Sequence, residues 1–546
     1  MVDISFKRAR TKAVHREQLV FLCYHSLTLF NGSFDRSKEG LLVNPVERWM
    51  QDIRLMTEPE CMCLLQAKTI HCPAVDMAKA SKLKKSNILN LRKKVWEVST
   101  YFADFYNKLD AADAQTIQRL AFQLINQIEK IIGNFIGFLY TSVPFNISEK
   151  HEHVRIQSRM LMCHMENFKV SSGKGVVPVL KTLSNLGHAF AGLSETIQAN
   201  LVGSLLEDIR GSASIYHLRV AIESLQAIAT DQEISKVIIK EDGVQILCQI
   251  CSLNNVDSMK VDALKTIGVL CEIQQAQIEL EKANGVPVLA DLLSSESSIE
   301  VKTGVARILA QITSPNVDNV QHLLGFIEYL DDLLRELTNL CIIAPSSDVF
   351  MFAAAAISNI TFMDSMSCEY LETYNTAEAL LSGCLSGKAD NLYSKNHVAT
   401  TLSNIVSSES CRQQVIEAGG IKVLFNFLDE AVVTLKYINQ ENLQKTHELC
   451  ENVQQKAAIV LGRLVQNKSS ATLITNMNGV NQLADLCYNS LERNNSDSVL
   501  LACLVTLRKL HTFVCEEFEE MIIEELVQPR ITDSFLFCSK VKESFV

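Results

Sequence analysis

Between about residue 211 and residue 525, apolar side chains recur in helical register rather than in strict alternation. Pairs of aliphatics three residues apart stand at Leu225/Ile228, Ile267/Leu270, Leu309/Ile312, Ile357/Ile360, Leu402/Ile405, Leu461/Leu464 and Leu507/Leu510. Their first members are 42, 42, 48, 45, 59 and 46 residues apart. A unit of this length with one apolar helix face buries that face only against its neighbours, so the pattern predicts stacked helical repeats. Several of these helices follow a Gly-aliphatic-x-x-Leu run, at Gly243-Val-Gln-Ile-Leu247, Gly285-Val-Pro-Val-Leu289, Gly420-Ile-Lys-Val-Leu424 and Gly479-Val-Asn-Gln-Leu483. The expectation is that each glycine makes a sharp turn into the next helix. The interval of 59 residues predicts an insert around Asp429 to Glu451, as a loop or an extra helix.

Upstream the pattern changes. Asn44 can cap a helix and Pro45 suits its first position, where the missing N–H costs nothing. Val46, Trp49, Met50 and Ile53 then fall at i, i+3, i+4 and i+7, one apolar stripe on a short helix. Pro59 drives Glu58 out of the helical region, so an extended stretch follows to Ile70, with Glu58 and Glu60 presented on one side. A helix of about three turns cannot bury Trp49 and Met50 unaided, so the segment 45–70 reads as one built to be bound. Residues 71–80 read as a linker. Residues 81–210 read as long helices, Thr116 to Tyr140 among them. The first of these helices is studded with Lys82, Lys84, Lys85, Arg92, Lys93 and Lys94 and continues through Trp96, Tyr101, Phe102 and Phe105. A solvated face on a packed helix is favoured there over a membrane-surface or acidic-partner role.

Two resemblances rest on these residues. Ser358-Asn-Ile and Ser403-Asn-Ile occupy equivalent places in their units, and with the repeat length they resemble armadillo repeats. That implies a right-handed armadillo-like α-solenoid of seven or so units over 211–525, in an all-α chain. The last helix of each unit would line a concave surface. Asn359 and Asn404 would face it and grip a partner's backbone, or hydrogen-bond within the scaffold; the pattern alone does not choose. The run Val46-Glu-Arg-Trp-Met-Gln-Asp-Ile-Arg-Leu-Met-Thr-Glu-Pro-Glu-Cys-Met-Cys-Leu-Leu-Gln-Ala-Lys68 resembles the partner-binding segment of the Inscuteable family, adaptors of asymmetric cell division. The resemblance implies that 45–70 fills the TPR groove of Pins/LGN proteins, in competition with NuMA/Mud. Val46, Trp49, Met50 and Ile53 would be the apolar anchors, and the groove motif would fall on Glu58, Glu60, Gln66, Lys68 and Ile70. It also implies an interlocked higher oligomer with Pins/LGN, and a cytoplasmic protein placed at the apical cell cortex. The end of the tail 526–546, Glu543-Ser-Phe-Val546, fits a PDZ ligand, with Val546 in an apolar pocket and Ser544 hydrogen-bonded. The tail also resembles the C-terminus of Inscuteable proteins, a family whose armadillo region is linked to the PDZ-rich scaffold Bazooka and, with it, to atypical protein kinase C.

Charge narrows the partners further. The net charge is −11, but residues 1–110 carry +6, which leaves −17 for the rest. An acidic body argues against nucleic acid, and the basic arm at 1–44 reads as a solvated tail. With 47% hydrophobic residues, only nine prolines and 7% aromatics, the composition is that of a folded helical protein. The 17 cysteines are scattered at helix-core positions such as Cys271, Cys487 and Cys503, as free thiols would be in a reducing compartment. Cys248-Gln-Ile-Cys251 has no second pair and reads as core packing. The apolar run Leu19 to Phe30 is broken by His25 and Ser26 and is not assigned as a signal peptide, and no stretch reaches the roughly 20 apolar residues of a membrane span.

Catalytic chemistry finds no footing. The sequence has no nucleophile elbow and no dinucleotide fingerprint, and Ser171-Ser-Gly-Lys-Gly175 lacks the phosphate-loop spacing. His151-Glu-His153 and Cys163-His164 lack a metal-ligand set. No enzyme and no cofactor is expected. Against the adaptor stands an armadillo protein that carries cargo or adhesion partners. The import version of that groove needs recurring Trp, whereas Trp49 and Trp96 both precede the repeats.

Overall fold

The computed structural model describes residues 73–110, 114–142, 150–171, 176–212, 214–252, 256–314, 324–363, 367–431 and 443–519. Every regular element among them is a helix. The chain forms two compact units, one ending at Leu270 and the other beginning at Cys271.

The first unit contains α1 (Pro73–Asp110), α2 (Ala114–Ser142), α3 (Lys150–Ser171), α4 (Val176–Arg210), α5 (Ile215–Ile228), α6 (Gln232–Lys240), α7 (Gly243–Ser252) and α8 (Asp257–Leu270). The expected linker at 71–80 is helical from Pro73 on, because proline opens a helix without losing a needed N–H. α1 lies across α4 and α5 and buries Ile88, Leu91, Val95 and Phe105. α2 turns Leu124, Ile128, Ile132, Phe135 and Leu139 inward at near-heptad spacing. Phe135 meets Phe190 edge-on at 4.9 Å, and Phe102 reaches the same ring at 5.7 Å. The sequence pattern changes at 211, yet packing runs across that point. A stack of repeats ends in an open apolar face, and α1 and α4 cover the face of α5.

Polar groups fasten α1 in place. Buried Ser81 donates to Asp208 at 2.8 Å and lies 3.2 Å from Nε2 of buried His217. Lys84 donates to the other Asp208 oxygen at 2.7 Å and to the Ser204 carbonyl at 3.0 Å. Ser212 lies 3.0 Å from His217 Nδ1. Burial pulls the His217 imidazole below its ordinary value. Arg92 pairs with Asp231 at 3.0 Å, and that carboxylate also caps α6 through the N–H groups of Glu233 and Ile234.

The second unit repeats a triplet of a short, a middle and a long helix. It comprises α9 (Gln274–Lys282), α10 (Gly285–Ser294) and α11 (Ile299–Ile312); α12 (Leu324–Ile327), α13 (Leu330–Ile343) and α14 (Ser347–Met363); α15 (Ser367–Thr373), α16 (Thr376–Leu385) and α17 (Leu392–Ile405). Then follow α18 (Glu409–Glu417), α19 (Gly420–Leu428) and α20 (Leu443–Leu464); α21 (Lys468–Asn476), α22 (Gly479–Tyr488) and α23 (Asp497–His511); and α24 (Cys515–Glu519). The third helices α11, α14, α17, α20 and α23 pack in series. This is the armadillo arrangement, and α6, α7 and α8 form the same triplet in the first unit. All seven aliphatic pairs predicted from the sequence are buried, none above 4% exposure. The cysteines at 271, 487 and 503 are core thiols, and burial pushes Cys248 up to about 12.

The glycines act differently from expectation. The turn is made one residue earlier, by Asp242, Asn284, Gly419 and Asn478, at φ between 53° and 73°. The glycine that follows supplies room. A Cβ at Gly243 would stand 2.4 Å from Ile238 Cγ2, and one at Gly420 would stand 2.6 Å from the Val415 carbonyl oxygen. The left-handed turn folds the chain back so tightly that only glycine fits beside the preceding helix. The expected insert is settled in part: Leu443 to Cys450 are added turns of α20, which has 22 residues against 14 in α17. Residues 432–442 lie outside the described residues.

Candidate functional site

Successive third helices of the second unit are tied by a ladder of side-chain hydrogen bonds, all but one of them to backbone carbonyls. Asn359 Nδ2 donates to the Ala310 carbonyl at 2.7 Å, from α14 to α11. Asn404 Nδ2 donates to Thr361 Oγ1 at 2.7 Å, from α17 to α14. Arg463 reaches the Ser403 carbonyl, Thr506 the Ala458 carbonyl at 2.8 Å, and Lys509 the Gly462 carbonyl at 2.8 Å. The amide nitrogens of both predicted asparagines are thus engaged within the scaffold, and Asn359 is 8% exposed.

Asn359 nevertheless lines a groove of about 660 Å³ between α11, α14, α17 and α20. Phe352, Ala355, Asn359 and Phe362 face it from α14; Tyr393, Asn396, His397 and Thr400 from α17; Asn452 and Lys456 from α20. Each set keeps helical spacing on the side away from the buried stripe. The Arg307 guanidinium of α11 lies 5.8 Å from the Phe352 ring centre, and Lys445 lies 5.4 Å from that of Tyr393. Phe362 is 54% exposed. Burial pulls His397 down to about 4, so it is neutral near neutral pH.

Past the groove the same face is basic. The Lys456 ammonium is pushed below its ordinary value by burial and by Arg463, and Lys509 by burial, Arg412 and Arg463. Arg412 donates to the Val406 and Ser407 carbonyls, at 3.0 and 2.7 Å, just past the end of α17. These cations escaped the sequence reading because lone Lys and Arg on a helix look solvated. Their signal was position: Lys456 and Arg463 are seven residues apart, on one face of a third helix. The other predicted site residues, Val46, Trp49, Met50, Ile53, Glu58, Glu60, Gln66, Lys68, Ile70, Ser544 and Val546, lie outside the described residues.

Comparison with known proteins adds the family. Residues 94–546 match the family described as the C-terminal region of Protein inscuteable. The chain belongs to the inscuteable family. Residues 41–82 match the inscuteable LGN-binding domain, a span that contains the whole predicted partner-binding segment. The inscuteable homolog of Mus musculus is 32% identical over 532 residues, covering 92% of this chain and 88% of that protein. That of Homo sapiens is 32% identical over 518 residues, with the same coverage. Among solved structures, an engineered protein covers 75% of this chain and 98% of its own at 19% identity and a TM-score of 0.45. A designed armadillo repeat protein in complex with the peptide (KR)4 covers 46% of this chain and 98% of its own at 20% identity and a TM-score of 0.35. The inscuteable C-terminal match begins at residue 94, so the family region includes the second half of α1 and α2 to α4 as well as the repeats. Among the described residues no helix is long and apolar enough to cross a membrane.

Proposed function

We propose that this inscuteable-family chain is an adaptor that joins Pins/LGN, with its Gα subunits, to the Bazooka and atypical protein kinase C polarity complex at the apical cortex. The link would align the mitotic spindle with the polarity axis in asymmetric division. The observation that carries this proposal is the LGN-binding-domain match over 41–82, which encloses the stripe of Val46, Trp49, Met50 and Ile53 and the acidic pair Glu58 and Glu60. In this mechanism the apolar stripe anchors the helix. The two carboxylates pair with groove bases, Lys68 pairs with an acid, and Gln66 and Ile70 complete the extended register. The match runs on into the first turns of α1, where Met77 is 40% exposed, so the start of that helix would extend the contact. A groove filled in this way is closed to NuMA/Mud.

Calorimetric titration of the full chain into an LGN-type TPR domain tests the proposal. Reversing Glu58 and Glu60 to Lys should reduce binding by at least about a hundredfold, from two lost charge-assisted contacts of about 1.5–3 kcal/mol each. The far-ultraviolet circular dichroism should not change. Binding unaffected by the reversal would refute the assignment of those two residues. Absence of binding by the unaltered chain would refute the adaptor role itself.

A further inference from the structure

The third-helix face of the second unit carries cations with no carboxylate among the described residues to meet them. Among the described residues none of Arg412, Lys456, Arg463 and Lys509 forms a salt bridge, whereas nearby Lys395 pairs with Glu430. They also crowd one another: Lys456 feels Arg463, and Lys509 feels both Arg412 and Arg463. Half-buried like charges without counter-charge are costly, and a merely structural face has no reason to collect them. Attraction to the negative ends of α17 and α20 accounts for part of the arrangement, since Arg412, Arg463 and Lys509 each donate to carbonyls there. It does not account for Lys456, eight residues before the end of α20. Nor does it use up the donors, as a guanidinium has five N–H groups and an ammonium three.

We propose that this groove docks an extended acidic peptide from another protein, its carboxylates on Lys456, Arg463, Lys509 and Arg412 and its apolar side chains on Phe352 and Phe362. The groove continues directly into the basic patch, because Lys456 lines both. Third helices packed about 10 Å apart would give the four helices α11 to α20 a span of about 30 Å, the length of about nine extended residues. Asn396 and Asn452, both lining the groove, have donors and acceptors suited to a peptide backbone. A short acidic peptide meets the local positive field, whereas a long polyanion must approach a chain of net charge −11. None of these residues belongs to the segment 45–70, so the titration with the TPR domain and the test below can fail separately.

Fluorescence anisotropy of the full-length chain tests this with three labelled probes: a peptide of about ten residues alternating Glu with Leu or Phe, its Lys counterpart, and a single-stranded oligothymidylate of matched length. The acidic peptide should bind, weaken at least about tenfold in the K456E/R463E double variant, and weaken severalfold between about 0.05 and about 0.3 M salt. The Lys peptide should not bind. If R463E lowers the melting temperature, K456E alone decides, because Lys456 makes no hydrogen bond or ion pair among the described residues. No binding of the acidic peptide at about 200 µM, weaker than any useful docking affinity, would overturn the proposal. So would equal binding by K456E, or oligothymidylate binding as tightly as the peptide.

Discussion

Helix α1 of the first unit and the third-helix face of the second are both basic, and they use their charge in opposite ways. On α1, Lys84 and Arg92 each find a carboxylate, Asp208 and Asp231, and those pairs hold the helix over α4 to α6. On the third-helix face Arg463 and Lys509 find only carbonyls, and Lys456 has Arg463 for a charged neighbour. The stretch with the positive sequence charge is therefore partly neutralised in the fold, while the half of the chain with a negative balance holds the unneutralised patch. Net charge along a sequence reports solubility and steering; only geometry tells which charges are already spent on the scaffold.

Substitutions can break or sharpen this contrast, beginning with the largest effect. Asp208→Ala removes the partner of Lys84 and Ser81 together and should cost about 2–3 kcal/mol, somewhat less than a fully buried pair because both side chains keep about a fifth of their exposure. Denaturant unfolding followed by circular dichroism measures it. If the loss is below about 0.5 kcal/mol, as for a surface pair, α1 is not held by charge. Lys456→Met should do the reverse, leaving stability unchanged or raising it by up to about 1 kcal/mol, since a desolvated cation is replaced by an apolar chain of similar length.

Acid provides a third probe. His217 has a folded-state value below the unfolded one of about 6.5, so the folded protein disfavours its protonation. Its stabilising share is complete above about pH 6.5 and is lost as pH falls towards the lowered value. His397 follows the same sign, with the loss extending to about pH 4. A melting temperature followed from about pH 7.5 to about pH 5.5, one unit either side of the unfolded value, should fall less steeply in His217→Gln than in the unaltered chain. The smallest effect is expected for Glu97→Ala. Its partner Lys94 lies on the exposed side of α1, so the melting temperature should not move.

How much of this was legible depends on periodicity. The aliphatic pairs recur at a near-constant interval and face one way, so the repeats and their core could be read directly. The glycines stand out in the sequence, but the task they perform is not the turn their spacing suggests. Gly243 and Gly420 are required by the nearness of Ile238 and Val415, a tertiary fact, while Asp242 and Gly419 carry the turn. Asn359 and Asn404 could be placed on the third helices, but the bonds to Ala310 and Thr361 join residues more than 40 apart and leave no local trace. The basic patch was invisible for the same reason: Arg412, Lys456 and Lys509 come from three helices and meet only in the fold.

The third-helix ladder has a direction. At every rung described, from Asn359 to Lys509, the donor belongs to the later helix and the acceptor to the earlier one. An acceptor already engaged within its own helix, a carbonyl at four rungs and the Thr361 hydroxyl at the other, tolerates waiting for a second partner, whereas a buried donor left alone does not. As the chain leaves the ribosome, each repeat emerges onto acceptors that are already in place, and no finished repeat is left holding an unmet donor from this ladder. The rungs run with translation, so the second unit can be assembled in the order in which it is made.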